Sequence, residues 1–264
     1  MNVSEPLPLA GRRIAVTRPE EQAGALCEAI AARGGTALRF PVMAIEGLAD
    51  PAALHAVADR LDEFDLAFFV SPNAVRHALG AILARRAWPS GVIVSTVGKG
   101  SERTLAEYGF QQVIAPDSGF DSEAVLALPA FAEQAVRGRA VLVLRGDGGR
   151  DLLGDTLRAR GARVEYVTCY RRVLPKVDAD TLRSAAVRGE LDAISLTSSE
   201  GVRNLLDLLG GALPAALAGV PAFASHPRIA DAACEAGFAR VIDTPPGDAA
   251  LLDALAAHFG GRLG

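Results

Sequence analysis

The amino-acid sequence predicts an α/β protein with two doubly wound, parallel-sheet domains that arose by internal duplication. Two observations support this prediction. Residues 11–18 and 138–145 read GRRIAVTR and GRAVLVLR, 127 positions apart, and the same offset continues to match the two halves of the chain. Short β-branched runs also alternate with helical stretches of about ten residues, which is typical of parallel strands covered by helices on both faces.

The duplication extends over about 100 positions. Residues 64–79 (FDLAFFVSPNAVRHAL) match residues 191–206 (LDAISLTSSEGVRNLL), so that Asp65 corresponds to Asp192 and Ser71 to Ser198. After one insertion or deletion, the two copies match again as VGKGSERTLAEYGF and ASHPRIADAACEAGF. Agreement of this length at a fixed offset indicates a repeat rather than chance.

The second copy shows the predicted elements most plainly. Its strands are predicted at AVLVLR, VEYVTCYRRV, DAISLT, PAFAS and RVID, and its helices near residues 151–160, 178–188, 200–209, 228–236 and 248–258. Each strand is short and apolar, and each is followed by a helix, as parallel sheets require.

One strand of each copy departs from this pattern. Residues 39–47 (RFPVMAIEG) and 166–174 (YVTCYRRVL) carry charge or proline where a buried parallel strand would be apolar. They correspond to each other under the repeat. We interpret them as connectors that leave one domain and enter the other, pairing as a two-stranded ladder.

This interpretation predicts a discontinuous domain. Residues 1–38 plus 174–264 would form one α/β domain, and residues 40–166 would form the other. Two consecutive domains that divide near residue 137 are the alternative, and the sequence alone leaves both open.

Composition and charge exclude several classes of function. The formal net charge of −4 argues against a nucleic-acid partner. No apolar run approaches the roughly 20 residues that a membrane span needs, and MNVSEPLPLAGRR lacks the pattern of a secretory signal, so a cytoplasmic protein is expected. Cys27, Cys169 and Cys234 form no metal-ligand spacing and are expected to be reduced and buried. No metal site is predicted.

The basic residues are unusual because 25 of the 27 are arginine, the exceptions being Lys99 and Lys176. A composition bias of the genome explains this, and so does recognition of carboxylates, which the planar guanidinium group serves better than an ammonium group.

Ligands of open parallel sheets bind beyond the carboxyl ends of the strands, so the turns that follow the strands are candidate sites. These turns read TRPEEQ, VSPNAV, VGKGSE, RGDGGR, TSSEGV and ASHPRI. Nearly all place small residues or hydroxyls before a predicted helix, where free N–H groups and the helix dipole suit phosphate or carboxylate oxygens. Helix capping by Ser and Thr is the alternative for each turn.

The stretch LVLRGDGGRDLL at residues 142–153 suggests a dinucleotide-binding loop, but the spacing is wrong. A GxGxxG motif that starts at Gly146 requires glycine at position 151, which is Asp151. VGKGS likewise lacks the frame of a P-loop. We therefore expect no nucleotide cofactor.

The ordered set of motifs resembles the uroporphyrinogen-III synthase family. The segments SPNAVR, VGKGSERTLAEYG, RGDGGRDLLGDTLRARGARVEYVTCYRR and TSSEGVR carry the resemblance, which extends from about residue 11 to 256. It implies two flavodoxin-like domains joined by a two-stranded β-ladder, with the first strand and helix packed in the C-terminal domain. It also implies a cofactor-free, cytoplasmic, monomeric lyase that closes hydroxymethylbilane to uroporphyrinogen III with loss of water and inversion of ring D.

The same resemblance implies the site residues. Tyr170 is the candidate general acid, and packing in the connector is its alternative role. The candidate substrate-binding residues are Arg18, Ser71, Gly98, Gly100, Ser101, Arg145, Gly146, Thr197, Ser198, Ser199, Pro227 and Arg228.

The chain departs from the family pattern at three places. Val70 replaces a threonine, Ser101 replaces another, and SHPRIA replaces a segment with glycine and two threonines. Arg228 in that segment would bind a carboxylate or face solvent.

Two other functions remain open at this point. A non-enzymatic two-domain protein could close on a small anion, and a two-domain glycosyltransferase would need a nucleotide-sugar site in the C-terminal half, where none is visible. Cofactor-free turnover of hydroxymethylbilane separates these classes.

Overall fold

Eleven strands and twelve helices lie within residues 7–119 and 121–260, which the computed structural model of the chain describes. The strands are β1 Arg13–Val16, β2 Thr36–Arg39, β3 Ala44–Gly47, β4 Leu66–Phe69, β5 Ile93–Thr96, β6 Val113–Ile114, β7 Ala140–Gly146, β8 Arg163–Val173, β9 Ala193–Leu196, β10 Ala222–Ala224 and β11 Val241–Asp243. The helices are α1 Glu20–Ala32, α2 Ala52–Asp59, α3 Pro72–Leu83, α4 Lys99–Glu107, α5 Ser122–Leu126, α6 Glu133–Val136, α7 Leu152–Ala159, α8 Ala179–Val187, α9 Ser199–Leu208, α10 Ala215–Ala218, α11 Pro227–Glu235 and α12 Asp248–Gly260.

The strands form two sheets. One has the order β11-β10-β9-β1-β2, and its pairings are parallel. The other has the order β3-β8-β7-β4-β5-β6, with parallel pairings from β8 through to β6. The predicted mixed α/β class with parallel sheets is therefore confirmed.

The chain also clusters into two units, each of which contains one of these sheets. One unit ends at Ala44 and resumes at Val173, and the other spans Ile45–Arg172. Residues 1–6 and 261–264, which the sequence assigns to the discontinuous domain, lie outside the described residues.

Both sheets change direction at their second and third strands. One sheet has the order β2-β1-β9-β10-β11, and five strands of the other sheet follow the equivalent order β8-β7-β4-β5-β6. The chain therefore leaves β1 and β9, and likewise β7 and β4, towards opposite edges. In doubly wound sheets this switch point is where a ligand crevice opens at the carboxyl ends of the strands.

The strands on either side of the switch points are buried on both faces. In β4, Leu66 and Phe68 join one apolar cluster, while Ala67 and Phe69 join the cluster on the opposite face. Helices cover both clusters, so the strand reads as a continuous apolar run rather than an alternating one.

The two connector segments differ from each other in the structure. Residues 163–173 form one continuous strand, β8, but the equivalent residues of the first copy divide into β2 and β3, which belong to different sheets. The predicted second strand at 39–47 is therefore wrong as a single element. Pro41 lies in the interruption, and proline has no N–H group to donate to a neighbouring strand.

At each switch point, an aspartate side chain accepts a hydrogen bond from the backbone of the neighbouring strand. Asp65 accepts a hydrogen bond from the backbone N–H of Ala140 at 2.8 Å, and Asp192 accepts one from that of Arg13 at 2.9 Å. Asp192 also pairs with the guanidinium group of Arg12 at 2.9 Å. Each carboxylate thus binds the start of a strand that comes from a distant part of the sequence.

The cysteines only partly follow the sequence prediction. Cys27 and Cys169 are buried, but Cys234 is exposed. Helix α11 turns Ile229 and Ala233 towards the core, and Cys234, one residue further on, lies on a different face. Burial raises the pKa of Cys169 to about 12.

Among the described residues, no helix combines the length and the apolar character that crossing a membrane would require.

We expect Asp192→Ala to lower the free energy of unfolding by about 1–3 kcal/mol, because the N–H group of Arg13 loses its acceptor. Urea unfolding of the purified protein measures this change. Asp253→Ala is the control, because its carboxylate is 76% exposed and contacts Arg33 only at 3.6 Å. Equal stability of the two variants would contradict the role given to Asp192.

We also expect a single fast-reacting thiol when the native protein meets an aromatic disulfide reagent at pH 8. Cys234→Ser should remove that phase and Cys169→Ser should leave it, because the raised pKa keeps Cys169 protonated. A fast phase that survives in Cys234→Ser would contradict the assignment.

The pKa of Cys169 is also higher in the folded protein than in the unfolded chain. The contribution of this thiol to the free energy of unfolding is therefore complete below about pH 8.5 and is lost as the pH rises towards 12.

Candidate functional site

Tyr170 lies on β8, next to the glycine-rich turn that follows β7. The register between β7 and β8 shifts after Arg145, so that Gly146 pairs with Tyr170. The tyrosine side chain is only 2% exposed. A Cβ on Gly146 would come within 2.6 Å of the Cζ atom of Tyr170, so the ring occupies space that only glycine leaves open.

The hydroxyl group of Tyr170 is 3.2 Å from Oγ of Ser71, and either atom can donate the hydrogen bond. Ser71 follows β4 and also caps helix α3, because its Oγ accepts a hydrogen bond from the N–H of Ala74 at 3.1 Å. The ring of His77 stacks on Tyr170 with a centroid distance of 5.8 Å. The structure therefore joins three predicted site residues, Ser71, Gly146 and Tyr170, at the switch point between β4 and β7.

The side chain of Arg145, the residue before Gly146, contacts Asp151 and Tyr166. Its Nη1 atom lies 2.6 Å from Oδ1 of Asp151, and its guanidinium carbon lies 4.2 Å from the ring centre of Tyr166. The equivalent residue of the first copy, Arg18, pairs with Asp248 at 2.5 Å. Both predicted arginines thus have a carboxylate partner within the protein.

Gly98 precedes helix α4 and Gly100 is its second residue, and neither has the left-handed backbone that favours glycine. Gly98 has an extended backbone, and a Cβ on Gly100 would make only ordinary contact with Pro72 at 3.6 Å. Ser101 is buried at the start of the helix. Pro72, Gly98, Gly100 and Ser101 line a shared cavity of about 360 Å³, which places this turn beside Ser71.

The remaining predicted residues lie in the other unit. Ser198 caps α9 by accepting from the N–H of Gly201 at 2.8 Å, and Thr197 beside it is half-buried. Ser199 donates to the carbonyl oxygen of Arg228 at 3.2 Å, which brings the turns before α9 and α11 together. These contacts agree with the capping alternative and leave Thr197 available at the end of β9.

The SHPRIA segment is explained by capping and packing. Nδ1 of His226 accepts from the N–H of Arg228 at 3.1 Å and so caps α11, whose first residue is Pro227. Ile229 is buried in the core. The side chain of Arg228 is exposed, as one of its two interpretations expects.

Several residues around the glycine-rich turn were not predicted from the sequence. A cavity of about 290 Å³ is lined by Arg145 and Gly146, which were predicted, and also by Arg150, Tyr166 and Arg172. Arg150 ends the RGDGGR turn at residues 145–150, so its position in the sequence could have identified it as a candidate binding residue. Its ion pair with Glu123, at 2.7 and 3.0 Å, joins residues 27 positions apart and could not be predicted. This pairing lowers the pKa of Glu123.

A larger cavity of about 670 Å³ lies at the opposite, amino ends of β5 and β6, where Trp88 and Phe110 form part of its wall. None of the described residues that line it carries a charged side chain. Neither its position in the sheet nor its chemistry suits an anionic ligand. Within the ranges 7–119 and 121–260, the structure shows no cluster of three or more His, Cys, Asp or Glu residues that could hold a metal ion.

Comparison with known proteins points to one family. The family model described as "Uroporphyrinogen-III synthase HemD" matches residues 24–253. A uroporphyrinogen-III synthase of Escherichia coli (strain K12) is 31% identical over 197 residues, which are 74% of this chain and 79% of that protein. One from Salmonella typhimurium (strain LT2) is 36% identical over 201 residues, with the same shares of the two chains.

Solved structures agree at the level of the fold. A mutant uroporphyrinogen III synthase from the extremely thermophilic bacterium Thermus thermophilus superposes with a TM-score of 0.60 at 22% identity, over 95% of this chain and 100% of that chain. A uroporphyrinogen-III synthetase from Helicobacter pylori gives a TM-score of 0.59 at 14% identity, over 94% and 99% of the two chains.

We expect Gly146→Ala to lower the free energy of unfolding by about 1–3 kcal/mol, because the added methyl group overlaps Tyr170. In a Tyr170→Ala background the same substitution should cost at least about 1 kcal/mol less, as a double-mutant cycle in urea would measure. Gly80→Ala is the control, since a Cβ there meets nothing within 4 Å. Strict additivity of the two substitutions would contradict the close packing of Gly146 and Tyr170.

Proposed function

The chain belongs to the uroporphyrinogen-III synthase family, and from this membership we propose how its site carries out the reaction. Its activity is that of a uroporphyrinogen-III synthase, an enzyme of tetrapyrrole biosynthesis. The proposed substrate is hydroxymethylbilane, a linear tetrapyrrole. The enzyme removes its terminal hydroxyl as water, inverts ring D and closes the macrocycle, acting as a cytoplasmic monomer without a cofactor.

The hydroxyl pair of Tyr170 and Ser71 at the switch point is the observation that carries this proposal. Each pyrrole ring of the substrate bears acetate and propionate groups, so the ligand is a flexible polyanion. Hydroxyl and N–H donors at helix starts suit carboxylate oxygens. Ser71, Ser101 and Ser198 are the proposed hydroxyl donors to these carboxylates.

The main task of the enzyme is to orient the substrate. Loss of the terminal hydroxyl yields an azafulvene that is already reactive and closes without inversion when it is free in solution. An enzyme that restricts the chain to one attack geometry selects the inverted product, which is catalysis by positioning.

Tyr170 is the proposed general acid. Its hydroxyl proton passes to the leaving hydroxyl group, which departs as water, while the electron pair of the breaking C–O bond leaves with that oxygen. Closure of the macrocycle releases one proton from the pyrrole carbon that forms the new C–C bond, and this proton returns to the tyrosinate oxygen through Ser71, its neighbour at 3.2 Å. General acid catalysis by a positioned group typically contributes about 100-fold or more to the rate.

We further propose that the two units are the duplicated domains of the family, with boundaries near residues 1–38 plus 174–264 and 40–166, joined by the segments at 39–47 and 166–174. The matching contacts of Asp65 with Ala140 and of Asp192 with Arg13 support this proposal, since each pair is related to the other by the offset of the repeat.

We expect the purified protein to convert fresh hydroxymethylbilane mainly to isomer III without added metal or nucleotide, as chromatography of the oxidised uroporphyrins would measure. The uncatalysed product, isomer I, is the baseline. Isomer I alone would overturn the proposed reaction and favour the non-enzymatic polyanion-binding protein.

We expect Tyr170→Phe to lower kcat by about 100-fold, because the hydroxyl proton is lost while the ring keeps its packing. Tyr108→Phe, on a partly exposed tyrosine at the end of α4, is the matched control. A loss in Tyr170→Phe smaller than about fivefold would contradict the acid role and leave Tyr170 a packing residue.

A further inference from the structure

The unit Ile45–Arg172 contains a cavity, beside the glycine-rich turn, that has no assigned role in the proposed reaction. Arg145, Arg150 and Arg172 contribute to its wall, and Asp121 is the one acidic residue among the lining residues that the structure describes. Its volume of about 290 Å³ is below that of pockets that enclose whole drug-sized ligands. The cavity therefore suits one anionic substituent of a larger molecule.

Arg145 is held by two partners within this unit. The ion pair with Asp151 holds Nη1 at 2.6 Å, and the ring of Tyr166 supports the guanidinium plane at 4.2 Å. The side chain is 21% exposed, which makes it less hydrated than a surface arginine. A guanidinium group has five N–H donors, so the pair with Asp151 leaves others for a ligand.

Tyr166 is itself held in place by hydrogen bonds. Its hydroxyl accepts from the N–H of Gly154 at 2.9 Å and donates to the carbonyl oxygen of Asp151 at 3.2 Å. A Cβ at position 154 would overlap that hydroxyl, so glycine permits the contact. The start of helix α7 and strand β8 are thereby joined beneath Arg145.

We propose that this cavity binds the carboxylate of one acetate or propionate side chain of the substrate, with Arg145 as the contacting cation and with Tyr166 and Asp151 as positioning residues. This assignment rests on the proposed function. Tyr166 and Asp151 act through the guanidinium group, which they fix so that little side-chain entropy is lost on binding.

The test compares variants by steady-state kinetics with hydroxymethylbilane and by equilibrium binding of uroporphyrin III, an octacarboxylate, measured by fluorescence anisotropy. Arg145→Met should raise KM and the uroporphyrin Kd by about tenfold to hundredfold, the loss expected for a charge-assisted hydrogen-bonded contact. Because a distant substituent is held equally in ground and transition states, kcat should change by less than about threefold.

The positioning role is tested on the tyrosine. Tyr166→Leu removes the supporting ring and should raise KM by about threefold to tenfold, whereas Tyr166→Phe keeps the ring and should restore most of the affinity. Arg158→Gln is the matched control, because Arg158 also lies over the Tyr166 ring, at 5.2 Å, but does not line the cavity. Urea unfolding of each variant separates lost binding from lost folding.

Two outcomes would overturn the assignment. The first is an Arg145→Met enzyme with the KM and uroporphyrin Kd of Arg158→Gln. The second is calorimetric binding of inorganic phosphate that Arg145→Met abolishes while KM stays unchanged, since the cavity would then hold a free anion. Either result, with wild-type protein that still makes isomer III, leaves the proposed function intact; formation of isomer I alone would refute that function separately.

Discussion

The parallel pairing of β4 with β7 is the interaction on which the candidate site depends. It creates the switch point of the six-stranded sheet, and the turns at the carboxyl ends of these strands supply Ser71 and Gly146. Asp65 anchors the start of β7 through the N–H of Ala140. A slip of one residue would turn every side chain of β7 to the other face and, because β8 pairs with β7, would separate Tyr170 from Ser71. The hydroxyl pair is therefore a consequence of strand register.

Much of the fold could be predicted from strand and helix periodicity, because these are local properties of the sequence. The helices predicted near 151–160, 178–188 and 200–209 begin and end within a residue or two of the observed α7, α8 and α9. The prediction of one strand at 39–47 was wrong, because the two ends of this segment join different sheets and tertiary contacts decide which sheet each end joins. The exposure of Cys234 likewise follows from how α11 packs.

The candidate site was less predictable than the fold. Hydroxyl residues at helix starts could be located from the sequence, and Ser71 and Ser198 both act as caps. The carboxylate partners of Arg18 and Arg150 could not, because Asp248 and Glu123 lie on helices α12 and α5, which are distant from these arginines in the sequence. These partners also explain how an acidic chain can offer ordered cations. Each carboxylate weakens the local positive field but fixes the direction of the remaining donors, which favours selectivity over strength of attraction.

The discontinuous sheet has a consequence for how the chain folds during its synthesis. Strands β1 and β2 are made first, yet β9, the partner of β1, begins only at Ala193. At translation rates of about 5–20 residues per second, β9 is synthesised on the order of ten seconds or more after the apolar strand Arg13–Val16. The contiguous segment Ile45–Arg172 can complete its own sheet in the meantime. The nascent chain thus carries a strand with one unpaired edge for much of its synthesis, which makes the amino-terminal βαβ segment the part most in need of chaperone protection against aggregation.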